Sequence, residues 1–471
     1  MTVNHGEESP PIGRRERACA ALFGLGVATA LIVSGCGGGV SSVGVAEAGT
    51  ATAGAAGGVF TPTECGTYSG TGCAAENRRV DLAKPTFSNP TTITNPLFPI
   101  SELGSVVLLG TVDGEPFRSE TTLLSDTRTI EWDGQRIATL ASQYAAYRNG
   151  RIEEVALDRY AQADDGSVWY FGEDVVDYKG GNVVTTEGTW LAGVEGPPAM
   201  IMPADPKLGD VFRPENILGI VFEEVTVTKV GVTVAGPHGP VAGAIVAQEL
   251  HLDESVSQKQ FAPGYGEFFS GKGGSVEALA IAVSADSLPT PPAPELESLE
   301  TSATGMLGSV RAGDWNAATA TLKRMRADRD VLRRQKPPAL VAARLDAALD
   351  ALARAVRAKR SGRATQASID VGQSILDLRL RHRPPAEIDR ARFELWTQQA
   401  LVHAAARDAG GVRGDVATLE WIRDRIAHTL EPGELAEVDS RLRATRTAAD
   451  ATRLAEAADH AVRLGLRLRS L

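Results

Sequence analysis

The stretch Asp286–Glu297, DSLPTPPAPELE, carries prolines at 289, 291, 292 and 294. Proline locks φ, lacks an N–H and pushes the preceding residue into an extended conformation, so this stretch serves neither as a helix interior nor as a central strand. It reads as a stiff spacer. Composition changes across it. Upstream lie Trp, Tyr, Phe, Val, Thr and Gly-containing turns; downstream Ala, Arg and Leu dominate. Two domains of different secondary structure are therefore expected: all-β before the prolines and all-α after them.

Upstream, short alternating runs are separated by Asp113-Gly114, Asp133-Gly134, Asn149-Gly150, Asp165-Gly166 and Lys179-Gly180-Gly181. Asp or Asn followed by Gly accepts positive φ, the requirement of tight hairpin turns. Hairpin follows hairpin with no segment of crossover-helix length. The pattern predicts an antiparallel meander of about ten strands, long enough to curl into a half-barrel or sandwich. Downstream the apolar period becomes helical. Asp314 is a natural N-cap for a stripe of Trp315, Ala318, Leu322, Met325 and Leu332. Val341, Leu345, Leu349, Leu352 and Val356 make the next stripe, and Pro384-Pro385 end one helix and begin another carrying Phe393, Trp396, Ala400 and His403. Six to eight helices with short loops predict an up-and-down bundle.

The N-terminus supplies an address. Arg14, Arg15 and Arg17 precede an apolar run, Ala18 to Val33, too short for an ordinary membrane span, as in a secretory signal. The run ends in Val33-Ser34-Gly35-Cys36, which resembles the lipobox of bacterial lipoproteins. That resemblance implies cleavage before Cys36, lipidation of its sulfur and usually acylation of its nitrogen, which anchors the chain durably to a cell membrane or outer envelope, facing the extracytoplasmic side. Residues 37–58 are nearly all Gly, Ala, Ser, Val and Thr, a flexible tether. The expected organisation is a signal peptide over 1–35, a tether over 36–62, a β-domain over 63–286, a Pro-rich linker over 287–294 and a helical bundle over 295–471.

Of the four cysteines, Cys19 and Cys36 belong to the export signal, leaving Cys65 and Cys73 in CGTYSGTGC. An exported compartment permits a disulfide and the Gly-rich loop lets the chain fold back, so these two are expected to pair.

A second resemblance lies in the β-domain. VWYFGEDVVDY, then EGTWLAGVEGPPAMIMPADPKLGDVFRPE, then FAPGYGE are similar to a recurring uncharacterised β-domain of exported bacterial proteins, over roughly residues 87–286. It implies a compact exported β-domain and brings no catalytic residues with it.

Chemistry is harder to read. Glu173 and Asp177 share one strand face while Asp174 points to the other, an arrangement open to acid/base work or to a solvated strand end. Trp169, Tyr170, Phe171 and Trp190 are candidate liners of a cavity in the curved sheet, by architectural analogy with LolA-like half-barrels that hold lipid. Asp164-Asp165-Gly166 lacks the ligand spacing of a calcium loop. In the helices, Asp424/His428 and Glu456/His460 stand at i, i+4, a spacing common on helix surfaces, and no haem or di-iron motif accompanies them. No G-x-S-x-G, H-E-x-x-H or phosphate loop is present. The expectation is a non-catalytic binding or scaffold protein of the envelope, with no cofactor or metal; the alternatives are a lipid-carrying module and an envelope hydrolase using Glu173 and Asp177.

Charge is divided. Residues 36–300 hold 15 Lys+Arg against 35 Asp+Glu, whereas residues 301–471 hold 30 against 21. Opposite fields predict attraction between the two domains, or of the bundle to anionic head groups or an envelope partner; the exported compartment argues against nucleic acid.

Overall fold

The computed structural model describes residues 72–471. Cys36 and Cys65 therefore lie outside the described residues, as do the signal and the tether; Cys73 is disulfide-bonded.

The chain runs first through β1 (Ser105–Val112), β2 (Glu115–Trp132), β3 (Gln135–Arg148), β4 (Arg151–Gln162), β5 (Val168–Lys179) and β6 (Asn182–Thr185). Two short strands follow, β7 (Trp190–Leu191) and β8 (Ala199–Met202). A second meander comprises β9 (Val211–Ile217), β10 (Val221–Gly236), β11 (Gly239–His251), β12 (Val256–Ala262), β13 (Gly266–Lys272) and β14 (Ser275–Val283). All fourteen belong to one sheet. The meanders join through antiparallel pairing of β1 with β14, giving the order β6-β5-β4-β3-β2-β1-β14-β13-β12-β11-β10-β9. β7 and β8 pair with β5, and β8 also packs on β9, so the sheet curls until its ends approach. The outer edge of β9 is covered by the segment at Arg79–Val80, where Val80 N–H donates to the Val211 carbonyl at 2.8 Å.

The hairpins turn where the sequence places them. Asp113, Asp133 and Asn149 have φ of 51°, 52° and 49°, each followed by a glycine at φ above 70°. One glycine decides more than a turn. Gly172 (φ +111°) sits in a β-bulge of β5: Asp158 pairs with Glu173 but Tyr160 pairs with Tyr170, so β5 carries one extra residue. Tyr170 and Glu173 consequently face the same side. A Cβ at 172 would lie 2.2 Å from the Trp190 carbonyl oxygen, so only glycine lets β7 pair here.

Eight α-helices follow: α1 (Pro294–Arg311), α2 (Trp315–Arg334), α3 (Ala339–Arg357), α4 (Ser361–Arg379), α5 (Pro385–Ala405), α6 (Ala409–Ile426), α7 (Pro432–Asp450) and α8 (Leu454–Arg469). Asp314 caps α2, accepting from Ala317 N–H at 2.9 Å. α5 starts with Pro385 in its first turn, and α7 with Pro432 and a Glu431/Glu434 capping box. None of these helices is long and apolar enough to cross a membrane.

The prolines do not hold the domains apart. The linker is pinned to the bundle by Leu288 N–H donating to the Arg381 carbonyl at 2.6 Å and by His382 bonding the Thr290 carbonyl at 2.9 Å. The bundle packs against one face of the sheet. Val107, Leu109, Ile281 and Val283 share an apolar core with Leu296, Leu299 and Leu345, and Tyr147, Ile152 and Val155 share another with Ala417, Trp396 and Trp421. Where α6 starts, Gly181 lies so close to Gly410 that an added Cβ would come within 2.1 Å of its carbonyl oxygen.

Candidate functional site

Alternation along the strands sends one set of side chains to the bundle and the other into the curl of the sheet. That interior is acidic. Glu154, Asp158, Glu173, Glu215, Glu223, Glu249, Glu267 and Glu277 are all at most 5% exposed. Some find donors: Asp158 accepts from Tyr170 at 2.7 Å and from Ser142 at 3.2 Å, and Glu215 from the Trp190 indole at 3.2 Å. Lys259 pairs with Glu267 at 3.0 Å and Glu249 at 3.4 Å. Among the described residues, neither oxygen of Glu173 or Glu154 has a donor. Burial first, then the neighbouring carboxylates, pushes Glu154, Glu173 and Glu223 well above the usual carboxylate range. Burial likewise raises Asp158 and Glu215 to about 7 and Glu267 to about 8. Glu173 lies against Glu215, and only a proton between them makes a hydrogen bond, with Glu173 donating. One pocket here, of about 30 Å³, is bordered by Tyr170, Phe98, Phe261, Glu215, Lys259 and Glu267. It suits a water molecule or two.

Where sheet and bundle meet, a buried ion network spans both. Glu120 of β2 receives the guanidiniums of Arg118 at 2.8 Å, Arg425 at 2.6 Å and Arg392 at 3.6 Å. Asp377 of α4 receives Arg118 at 2.7 Å and Arg392 at 2.9 Å. Asp389 completes the set, 3.2 Å from Arg392 and 3.6 Å from Arg425. Three arginines thus meet three carboxylates, and Gln143 of β3 accepts from Arg425 at 2.6 Å. Burial alone would raise the Glu120 carboxyl; the three arginines outweigh it and hold it well below the usual range. Acidic β-domain and basic bundle are therefore joined by ion pairs, although Arg118–Asp377 runs in the opposite sense.

Beside this network lies a cleft of about 560 Å³ between the two domains. Its β-domain wall includes Phe117, Arg118, Tyr147 and the β3–β4 turn at Asn149-Gly150. α3, α4 and α5 contribute Arg344, Asp370, Gln373, Trp396 and His403 among others. Tyr147 and Trp396 stack across the domain boundary, ring centroids 5.3 Å apart. A hydrogen-bonded chain runs along one wall. Gln366 donates to Asp370 at 3.1 Å and exchanges amide bonds with Gln399 at 2.8 and 2.9 Å; Gln399 contacts His403 Nε2 at 3.3 Å; His403 Nδ1 bonds Asp415 at 2.7 Å. Burial pushes Asp415 up to about 6, against the His403 hydrogen bond. With Nδ1–H donated to Asp415, the Nε2 lone pair is engaged by the Gln399 amide, and no hydroxyl or thiol bonds the ring among the described residues. The couple orients a wall rather than arming a nucleophile. The imidazole rests on the first turn of α6, where a Cβ at Gly411 would fall 2.5 Å from its Cγ.

The residues singled out in the sequence fall mostly outside the cleft. Trp169, Tyr170, Phe171 and Trp190 are all buried in one apolar cluster, and Tyr170 is the one that borders the 30 Å³ interior space. Glu173 and Asp177 do share a face, with Glu173 fully buried and Asp174 exposed to pair with Arg159. Asp424 pairs with Arg423 and Glu456 with Arg453, each drawn away from its histidine. Among the described residues no group of three or more His, Cys, Asp or Glu side chains is placed to hold a metal ion. His403 was legible as a residue on the α5 stripe, but Arg344 and Asp370 carry no local motif and stand on none of the apolar stripes, so no sequence signal pointed to them. No family model and no curated protein matches the sequence.

Proposed function

We propose that this is a lipid-anchored envelope protein that binds a small ligand between its two domains. Cys36 supplies the tether, the glycine-rich segment after it the clearance from the head groups, and the folded domains the receptor. The observation that carries the reading is the cleft itself: about 560 Å³, walled by both domains, mixing aromatic surface with a few polar groups, within the size range of ligand sites and at the kind of boundary they favour. The lipid-carrying alternative would require the sheet interior, where the pocket lined by carboxyls measures about 30 Å³, to open. Opposite net charges steer the two domains together before docking; once docked, the pairs are buried and salt has little access to them.

Two measurements test this. Cys36→Ser is expected to move the protein from the membrane to the soluble fraction or to leave the signal uncleaved; a wild-type chain that is wholly soluble and unacylated by mass spectrometry removes the tether. Ala351→Trp, which fills the cleft from α3, is expected to strip any small molecule that co-purifies with the wild-type protein in native mass spectra. Retention of that molecule at full occupancy by a folded Ala351→Trp variant places it elsewhere and overturns the cleft reading.

A further inference from the structure

Most charged groups around the cleft are already committed. Arg118 and Asp377 belong to the buried network. Arg151 is paired with Asp408, and His403 with Asp415. Two are not. Arg344 of α3 has no carboxylate within salt-bridge distance among the described residues; one nitrogen, Nη2, donates to the backbone carbonyls of Gly110 at 2.8 Å and Phe117 at 3.2 Å. Among the described residues its Nε–H and Nη1 hydrogens have no protein partner. Among the described residues Asp370 of α4 accepts one side-chain bond, from Gln366, and pairs with no cation. It is solvent-accessible although protein surrounds it, which is the condition of a group on a cleft wall.

The two stand on consecutive helices, joined by a short turn, and both border the same space. They form no ion pair with each other among the described residues, and the sheet holds one nitrogen of the Arg344 fork by two carbonyl contacts. Burial, then the neighbouring Arg118, disfavours the cationic form of Arg344, against Asp370 and Asp377; burial disfavours the ionised form of Asp370, against Gln366 and Arg344. A guanidinium with free donors matches a carboxylate, and a carboxylate with a free oxygen matches an ammonium. Between and beside them, Leu109, Ile369, Leu395 and Trp396 offer apolar surface for the rest of a ligand.

We propose that the cleft takes a small zwitterion of the α-amino-acid class, its carboxylate on Arg344 and its ammonium on Asp370. The assignment rests on the cleft reading above and adds the chemistry of its occupant.

The test is calorimetric titration of the full-length protein in detergent with the twenty L-amino acids, followed by the N-acetyl and carboxamide forms of whichever binds best. The free amino acid is expected to bind, and blocking either end to weaken it at least tenfold. Arg344→Gln is expected to erase the penalty for amidation and keep the one for acetylation; Asp370→Asn should do the reverse. The ligand-side comparison needs no variant, so it stands even if one of them misfolds. Heat from none of the twenty overturns the assignment. So does an N-acetyl form that binds as tightly as the free one; if Ala351→Trp abolishes that binding, the cleft reading survives while the zwitterion does not.

Discussion

Glu120→Gln is expected to destabilise the protein by about 3–5 kcal/mol, the cost of breaking a buried ion pair from one side. Glu120 is the one carboxylate contributed by the sheet to a network that otherwise holds Asp377 and Asp389 against Arg118, Arg392 and Arg425. The amide is nearly isosteric, so packing changes little; what changes is that three buried guanidiniums face two carboxylates. Equilibrium urea unfolding measures the loss. Arg425→Met should cost a comparable amount, and the two changes together less than their sum, because removing one charge of each sign restores the balance. The loss is expected in a single cooperative transition, since the apolar cores also cross from sheet to bundle. A loss below about 1 kcal/mol, within the range of exposed pairs, would mean that water reaches the network.

The second large effect is on pH. Unfolded carboxyls titrate near 4, whereas in the folded sheet Asp158 and Glu215 rise to about 7, Glu267 to about 8, and Glu154, Glu173 and Glu223 well above their ordinary value. The folded state therefore binds more protons than the unfolded state between about pH 4 and 8, and stability falls as pH rises through that window. Two sets of groups act the other way. Glu120 and Asp377, held low by their arginines, contribute stability that is lost below pH 4. His251, lowered by burial to about 4, costs stability as pH drops below its unfolded value near 6.5. Six raised carboxyls outweigh that one imidazole, which places the stability maximum near the acid end of the window, at about pH 4. From pH 5.5 to 8.5 the unfolding free energy is expected to fall by on the order of 5 kcal/mol. Urea midpoints at several pH values test it, and Glu173→Gln or Glu267→Gln should flatten the slope. A midpoint that stays level or rises across this range would falsify the protonated interior.

Local chemistry made much of the architecture legible. The prolines of 289–294 separate β from α because no proline-rich run continues either ladder. Asp-Gly and Asn-Gly pairs mark the hairpins because few other dipeptides tolerate two successive positive φ values, and Asp314 and Pro385 mark helix starts because they answer the unpaired N–H groups there. Each of these is a demand made within a few residues.

The face of each strand that turns inward was not legible, since polar residues occupy both: Arg118 and Glu120 go to the bundle while Ser119 goes to the interior beside Glu277. In β5 the bulge at Gly172 shifts the alternation by one, so a two-residue period read straight through it puts Tyr170 on the wrong side of Glu173. The cleft is further still from local reach. Arg344 meets the carbonyls of Gly110 and Phe117 more than 220 positions away, and Glu120 meets Arg425 at a separation of 305. What the sequence by itself determined is where the chain is extended, helical or turned, and the opposite charges of its two halves. Which carboxylates are paired, which are protonated and which two charges are left facing an open cleft was decided by docking sheet against bundle, because desolvation and Coulomb energy depend on distances that only the folded chain defines.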